Sequence, residues 1–233
     1  VYVLGAMGRL LALDAATGRI LWQKDFVRDF DASVPSWGMS AAPLVDGDRL
    51  IALVGGEPNA KVMAFNKHTG EELWRALSSD WEPGYNQPTI ITHAGVRQLI
   101  VWHPRAISSL DPATGKVHWE VPSEVDMGMT VATPVHSGSH LLVTSFYNGA
   151  RMLKLDHDTP GASMLWAVKS NSEVATDAIH STISTPVTGS ASRPSSPSTR
   201  GTKLRIQALS SRDNATLSER SNEPSGRSTI CCD

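Results

Sequence analysis

Residues 12–22 read ALDAATGRILW, and the pattern returns as AFNKHTGEELW at residues 64–74 and as SLDPATGKVHW at residues 109–119. A copy with two additional residues, KLDHDTPGASMLW, occupies residues 154–166. The tryptophans that end the four copies are separated by 52, 45 and 47 residues. A repeat of about 40 to 50 residues is typical of propeller blades and of helical arrays. One structural unit of this length is therefore used several times.

The segments within each repeat favour strands over helices. A second pattern recurs at steps of 45, 46 and 52 residues, and its copies begin at Pro43, Pro88, Pro134 and Pro186. In the second unit, turns containing Gly, Asn or Asp separate four short apolar runs. We expect strands near residues 43–45, 49–54, 61–65 and 72–76. Four strands in a repeat of this length predict an all-β fold made of four-stranded antiparallel propeller blades.

The phrase A-x-D-x-x-T-G-x-x-x-W resembles the tryptophan-docking motif of the pyrroloquinoline quinone (PQQ)-like β-propeller repeat family. In that family the tryptophan packs against the turn of the neighbouring blade. The second copy has Asn in place of Asp, the third has Ser in place of Ala, and the insertion in the fourth moves its Gly. The resemblance assigns a structural role to Ala12, Asp14, Thr17, Gly18, Trp22, Ala64, Asn66, Thr69, Gly70, Trp74, Asp111, Thr114, Gly115, Trp119, Asp156, Thr159 and Trp166.

The resemblance also implies a function. The family includes quinoprotein dehydrogenases and non-catalytic propellers of the BamB type, and the chain is closest in character to the latter. This implies a binding or scaffold module, without catalytic residues, metal or cofactor, in the periplasm, the cell envelope or the secreted fraction of a bacterium. One alternative is a fragment of a PQQ-dependent alcohol or sugar dehydrogenase, which needs PQQ, a Ca²⁺-type ion and an Asp base. A sensor domain of a larger protein is another.

The length predicts an open arc of blades. Seven or eight blades of about 45 residues need well over 300 residues, and the chain has 233. We expect about three complete blades and pieces of two more within residues 1–187, at about 1–26 (partial), 39–77, 85–122, 130–169 and 181–187. The missing blades are expected from the rest of the natural chain.

Residues 188–233 have a different composition. They hold eleven Ser, six Arg and one Lys against four acidic residues, and no aromatic residue. Such a segment is expected to be disordered, because it cannot bury enough apolar surface to offset its conformational entropy. We interpret it as an out-of-frame sequence, with a genuine Ser/Arg-rich extension as the alternative. The adjacent Cys231 and Cys232 lie here, where a cofactor role is disfavoured.

Long loops between blades provide the candidate binding residues. In a propeller, the loops that join one blade to the next gather at one mouth of the central channel, and rigid scaffolds commonly carry function on such loops. A protein or a small ligand is the expected partner there. Structural packing is as plausible as binding for Trp37 and Tyr85, and is favoured for Trp81. The candidates are Trp37, Tyr85, Asp126, Asp177 and His180.

Charge and hydropathy argue against nucleic acid as a partner and against a transmembrane segment. The net charge is −2 without a basic stripe, so nucleic acid is not expected. No run of 18 apolar residues occurs, so no transmembrane segment is expected. The eight histidines lack the spacing of helical or Cys-containing metal motifs, and nearly all are expected to face solvent.

Overall fold

The computed structural model describes residues 1–168, which form four antiparallel sheets in chain order. The first sheet contains β1 (Tyr2–Leu4), β2 (Arg9–Leu13) and β3 (Ile20–Asp25). The second contains β4 (Leu44–Asp46), β5 (Arg49–Gly56), β6 (Ala60–Asn66) and β7 (Glu72–Ala76). The third contains β8 (Thr89–His93), β9 (Val96–His103), β10 (Ala106–Leu110) and β11 (Val117–Pro122). The fourth contains β12 (Val135–Ser137), β13 (His140–Ser145), β14 (Gly149–Leu155) and β15 (Ala162–Ala167).

The strands of each sheet are paired in the order in which they occur in the chain. This up-and-down arrangement is that of a propeller blade, so the prediction of a partial all-β propeller is confirmed. The strands predicted for the second unit are confirmed as well. Helical structure among residues 1–168 consists of α1 (Phe26–Phe30) and one 3₁₀ turn (Asp126–Gly128).

Several sequence-based expectations concern residues outside the described part of the chain. They are the start of a further blade at 181–187, the tail at 188–233, Asp177, His180, Cys231 and Cys232. Among the described residues, no helix combines the length and apolar character needed to cross a membrane.

The central strands of each blade are buried on both faces. In β5, Leu50 and Ala52 contact the core between the first and second sheets, whereas Ile51 and Leu53 contact the core between the second and third. Side chains alternate between the faces of a strand, so burial of both faces requires a continuous apolar run. The sequence RLIALVGG of β5 is such a run. The sheets therefore pack face to face, with one core between each pair.

A tryptophan closes each of the first two junctions between sheets. Trp22 of the first sheet lies over Gly70 of the second, and a Cβ on Gly70 would be 2.8 Å from Trp22 Cδ2. The Trp22 indole donates a 3.0 Å hydrogen bond to the Lys67 carbonyl in the same turn. At the next junction Trp74 covers Gly115 and donates to the Pro112 carbonyl at 3.2 Å. Only glycine leaves room for the indole in these turns.

The third junction differs, because the fourth copy of the motif is longer. Trp119 is buried against the fourth sheet, but its indole donates to Gln98 Oε1 of its own blade at 2.8 Å. The contact with the neighbouring turn is made by His93, whose Nε2 lies 3.0 Å from the Asp156 carbonyl. The two-residue insertion thus changes the partners of the tryptophan without removing it from the core.

The two opposite ends of the strands carry different kinds of connection, and we call them the turn end and the loop end. The turn end carries the turns with the motif Asp or Asn, Thr and Gly that join the last two strands of each sheet, at 14–18, 66–70, 111–115 and 156–161. The loop end carries the hairpins at 5–8, 57–59, 104–105 and 146–148, together with connectors 1, 2 and 3, which are residues 26–43, 77–88 and 123–134. In an antiparallel meander, the hairpin between the middle strands and the connector to the next blade lie at the same end.

Replacement of Trp74 by Ala is expected to lower the free energy of unfolding by about 3–5 kcal/mol, because it empties the space between two sheets. Denaturant titration measures the change. Trp37→Ala serves as the control, since this exposed ring should contribute less than about 1 kcal/mol. Equal losses for the two variants would contradict the role of Trp74 in the junction.

Gly115→Ala and Gly18→Ala form a matched pair. Both glycines occupy the same motif position with φ of 73° and 71°, but only Gly115 faces an indole, whereas Gly18 has nothing within 4 Å of a Cβ position. Both variants incur the left-handed backbone cost, about 1–2 kcal/mol. Gly115→Ala should lose a further 1–3 kcal/mol or so from overpacking, measured by denaturant titration. If the two losses are the same, the indole does not constrain the turn.

Candidate functional site

Each connector at the loop end contacts the next blade or the next connector. Connector 1 contacts the second sheet where the Ser33 amide donates to the Gly55 carbonyl at 3.2 Å. Connectors 2 and 3 are joined where the Tyr85 amide donates to the Thr130 carbonyl at 3.3 Å. Each connector therefore touches the next one as well as the sheets beneath it. The loop end is a continuous surface rather than a set of free loops.

Tyr85 joins connectors 1 and 2. Its hydroxyl donates to Glu82 at 2.9 Å and accepts a longer bond from the Trp37 amide at 3.4 Å. The Trp37 ring stands edge-on to Tyr85, with centroids 5.9 Å apart. Ser36 donates to the other Glu82 oxygen through its hydroxyl at 2.9 Å. Burial, with a further contribution from Glu82, raises the pKa of Tyr85 to about 12. Two of the predicted candidates, Trp37 and Tyr85, thus lie in contact.

A buried amide holds connector 2 on the third sheet. The Asn86 side-chain nitrogen donates to the Trp102 carbonyl at 2.6 Å and to the Thr130 carbonyl at 3.1 Å. Gly84, with φ of 89°, lies so close to Thr130 that a Cβ there would overlap the threonine hydroxyl. The backbone of connector 2 is therefore fixed by one amide and one close approach.

Asp126 fixes connector 3 to the fourth sheet. Its carboxylate accepts from the Asn148 side-chain nitrogen at 2.9 Å, and its amide donates to the Asn148 side-chain oxygen at 2.8 Å. This reciprocal pair joins Asp126 to the hairpin of the fourth sheet, whereas Trp37 and Tyr85 join connectors 1 and 2. The third described candidate is thus engaged in a structural contact.

Trp81 separates two clefts at the loop end. One, of about 660 Å³, lies between connectors 1 and 2 and is lined by Ser33, Glu57, Lys61, Ser78, Ser79, Asp80, Trp81 and Glu82. The other, of about 340 Å³, lies towards connector 3 and is lined by Trp81, Pro104, Arg105, Glu124, Val125, Asp126 and Met127. Trp81 is 40% exposed and borders both. Structural packing is the role that the sequence favours for Trp81, and the structure places its side chain between the two clefts.

Lys61 is a charged residue in a buried strand and is not among the residues predicted from the sequence. It is 6% exposed, and its ammonium lies 3.1 Å from the Glu57 carboxylate. Burial raises the pKa of Glu57, but hydrogen bonds from Lys61 and the Ser79 amide outweigh this effect and leave the pKa below its usual value. Arg9 and Arg151 occupy the same repeat position, three residues before Ala12 and Lys154. A basic residue that recurs at one repeat position is the sequence signal by which Lys61 could have been identified.

Arg105 stacks on Trp81. Its guanidinium carbon lies 4.9 Å from the centre of the indole, and its nitrogens approach Asp80 at 3.4 Å and Glu124 at 3.4 Å. A guanidinium over an aromatic face is attracted by the electrons of the ring. The cation comes from the third sheet, and the ring and the two carboxylates come from connectors 2 and 3. Sequence spacing does not indicate this arrangement.

His103 is an exception to the expectation that nearly all histidines face solvent. Its ring is buried in the face of the third sheet, with Nε2 3.5 Å from the Ser108 hydroxyl and 3.9 Å from the Glu120 carboxylate. Burial lowers the pKa of His103, and nearby Lys61 adds to this effect while Glu120 opposes it. The apolar run that ends in His103 is buried on both faces, so the histidine at its end is buried too.

The described residues do not fit PQQ with its metal ion. Within residues 1–168, no three or more His, Cys, Asp or Glu side chains are arranged to hold a metal ion. Asp126 offers one carboxylate and Asn148 one amide, fewer oxygen donors than the six to eight or so that Ca²⁺ takes. The carboxylates around Trp81 also repel the carboxylates of the quinone.

Comparison with curated proteins identifies quinoprotein and quinohemoprotein alcohol dehydrogenases as relatives. A quinoprotein ethanol dehydrogenase of Pseudomonas aeruginosa is 28% identical over 134 residues, which are 52% of this chain and 21% of that protein. A quinohemoprotein alcohol dehydrogenase of Comamonas testosteroni is 36% identical over 86 residues, which are 36% of this chain and 12% of that protein. The chain thus spans about a fifth or less of the length of these curated relatives.

The solved structures that align with the chain include BamB in addition to quinoprotein dehydrogenases. BamB from Moraxella catarrhalis aligns with a TM-score of 0.48 at 18% identity, over 70% of this chain and 49% of that one. The Comamonas testosteroni quinohemoprotein alcohol dehydrogenase aligns with a TM-score of 0.47 at 19% identity, over 70% of this chain and 33% of that one. The family model described as outer membrane protein assembly factor BamB matches residues 1–83 and 58–228. With its repeated tryptophan motif and its arc of blades, the chain belongs to this family of PQQ-like repeat β-propellers.

Proposed function

We propose that the chain is part of a non-catalytic binding or scaffold propeller of the bacterial cell envelope, and that the loop end is its binding surface. The observation that carries this proposal is the exposure of a large apolar side chain on each connector. Trp37 is 56% exposed, Trp81 40% and Met127 57%. Exposed apolar residues with a polar surround are typical of protein interaction sites.

The fixed backbone beneath these side chains supports the same function. The connectors are held by Tyr85, Asn86 and Asp126, so they lose little conformational entropy when a partner binds. Six acidic residues and one basic residue lie on the connectors: Asp29, Asp31, Asp80, Glu82, Glu124, Asp126 and Arg28. This charge disfavours anionic ligands such as PQQ.

The alternative function is that of a fragment of a PQQ-dependent alcohol or sugar dehydrogenase. It is favoured by the identity of 28–36% to quinoprotein alcohol dehydrogenases. The groups that such chemistry needs would then come from outside residues 1–168. The proposed location in the periplasm or cell envelope rests on the family alone.

The link between connectors 1 and 2 is testable through the pH dependence of stability. The pKa of Tyr85 is about 12 in the folded chain and about 10 in an unfolded one. The folded state holds this proton more tightly, so the resulting stability is fully present below about pH 10 and is lost as the pH rises towards 12. Tyr85→Phe lacks this dependence. We expect the stability advantage of the unmodified chain over Tyr85→Phe to shrink between about pH 9 and pH 11.5 in denaturant titrations, and a constant difference would contradict the buried hydroxyl.

The choice between scaffold and dehydrogenase is tested with the quinone itself. The purified chain is titrated with PQQ and Ca²⁺, and alcohol or aldose is then added with an artificial electron acceptor. We expect neither micromolar binding nor turnover. Turnover that is lost in Asp126→Asn but retained in Asp158→Asn, an exposed carboxylate of the turn end, would establish the dehydrogenase instead.

A further inference from the structure

We propose that the partner of the loop end is an extended protein segment carrying arginine or lysine side chains, and that Trp81 with Asp80 and Glu124 receives one of them. This inference rests on the proposed binding function and specifies the chemistry of the partner. It is carried by three observations: the 40% exposure of Trp81, the position of Arg105 over its ring, and the excess of carboxylates on the connectors.

Arg105 shows that this place accommodates a guanidinium. Its central guanidinium carbon lies over the indole of Trp81, 4.9 Å from the ring centre, and its nitrogens contact carboxylates of two connectors. Yet its contacts with Asp80, at 3.4 and 3.5 Å, and with Glu124, at 3.4 Å, are at the long limit of hydrogen bonding. The two carboxylates are 79% and 82% exposed. Ion pairs of this kind contribute little to stability, so another cation can replace Arg105.

The carboxylates near Trp81 differ in how strongly they are already hydrogen-bonded within the chain. Glu82 accepts from Tyr85 and Ser36, and Asp126 accepts from Asn148. Within residues 1–168, the side-chain carboxylates of Asp80 and Glu124, in contrast, make hydrogen bonds only with Arg105, at 3.4 to 3.5 Å. They are the acceptors that an incoming cation would meet first.

The surrounding surface favours a cationic segment over an isolated cation. The connectors carry six carboxylates against one arginine, and Arg105 of the adjoining hairpin adds one further positive charge, so the excess of carboxylates attracts positive charge to the connectors. Trp37 and Met127 add apolar contacts on connectors 1 and 3, on either side of Trp81 in chain order. The two clefts that meet at Trp81 provide room for side chains of a segment that crosses the ring. Basic and apolar residues in alternation match these features.

The test uses the full chain and a short capped peptide of alternating arginine and leucine, with an alternating glutamate and leucine peptide as the charge-reversed control. Binding is measured by calorimetry at low and at physiological salt. The double variant Asp80→Asn, Glu124→Gln should weaken binding about tenfold or more, as should Trp81→Ala. The matched double variant at the turn end, Asp48→Asn, Glu71→Gln, removes the same charge and should change the affinity less than about twofold.

Removal of Arg105 distinguishes this site from general attraction to an acidic protein. Because Arg105 covers Trp81 and partly neutralises its carboxylates, Arg105→Ala should tighten peptide binding about threefold or more. Lys116→Ala removes one exposed positive charge at the turn end and should leave the affinity unchanged. Circular dichroism and denaturant titration confirm that each variant is folded.

Three results would overturn the proposal: no binding of the arginine peptide by the folded chain, equal weakening by the two double variants, or weaker binding after Arg105→Ala. These results would leave the scaffold function standing with a partner of other chemistry. Quinone turnover, measured separately, is the result that would remove the scaffold function itself.

Discussion

The packing of an indole on a glycine of the next blade is the contact on which the arc of sheets depends. Trp22 and Trp74 each cover a turn glycine, and each indole donates to a carbonyl of the same turn. The apolar ring excludes water from the junction while the indole N–H remains hydrogen-bonded, as a buried donor requires. Since the turn belongs to the following blade, one tryptophan fixes the position of two sheets. The repeat of the motif therefore sets the repeat of the blades.

At the third junction, the tryptophan stays buried but its indole donates to a different hydrogen-bond acceptor. The longer fourth turn does not present a glycine to Trp119, and the indole instead donates to Gln98, which also accepts from Ser109. His93 takes over the contact with the following turn. Burial of the ring is retained, whereas the hydrogen-bond partner changes. Apolar burial is not directional, but the indole N–H must find an acceptor, and a polar residue within the blade provides it.

The contacts at the loop end differ from the repeated tryptophan contacts, because they join segments that share no periodic sequence pattern. Tyr85, Asn86 and Asp126 use hydrogen bonds to hold the connectors, and this leaves Trp37, Trp81 and Met127 with exposed side chains. The backbone polar groups of long connections must be satisfied, and these side chains satisfy some of them. The same fixation creates a defined surface with a negative charge. This fixed surface is what supports the binding function proposed for the loop end.

The amino-acid sequence by itself determined the fold class, the number of strands in each repeat and the residues of the four turns, because alternation of side chains and turn chemistry act over a few residues and recur with the blade. It also located the connectors as candidate binding loops and named Trp37 and Tyr85, which the structure brings into contact. Only the tertiary structure decided that Arg105 stacks on Trp81, that Lys61 is buried beside Glu57 and that Asp126 is paired with Asn148. These contacts depend on how neighbouring connectors and sheets overlap. The connectors have neither a regular period nor a repeated motif, so their partners are set by packing across blades rather than by local sequence.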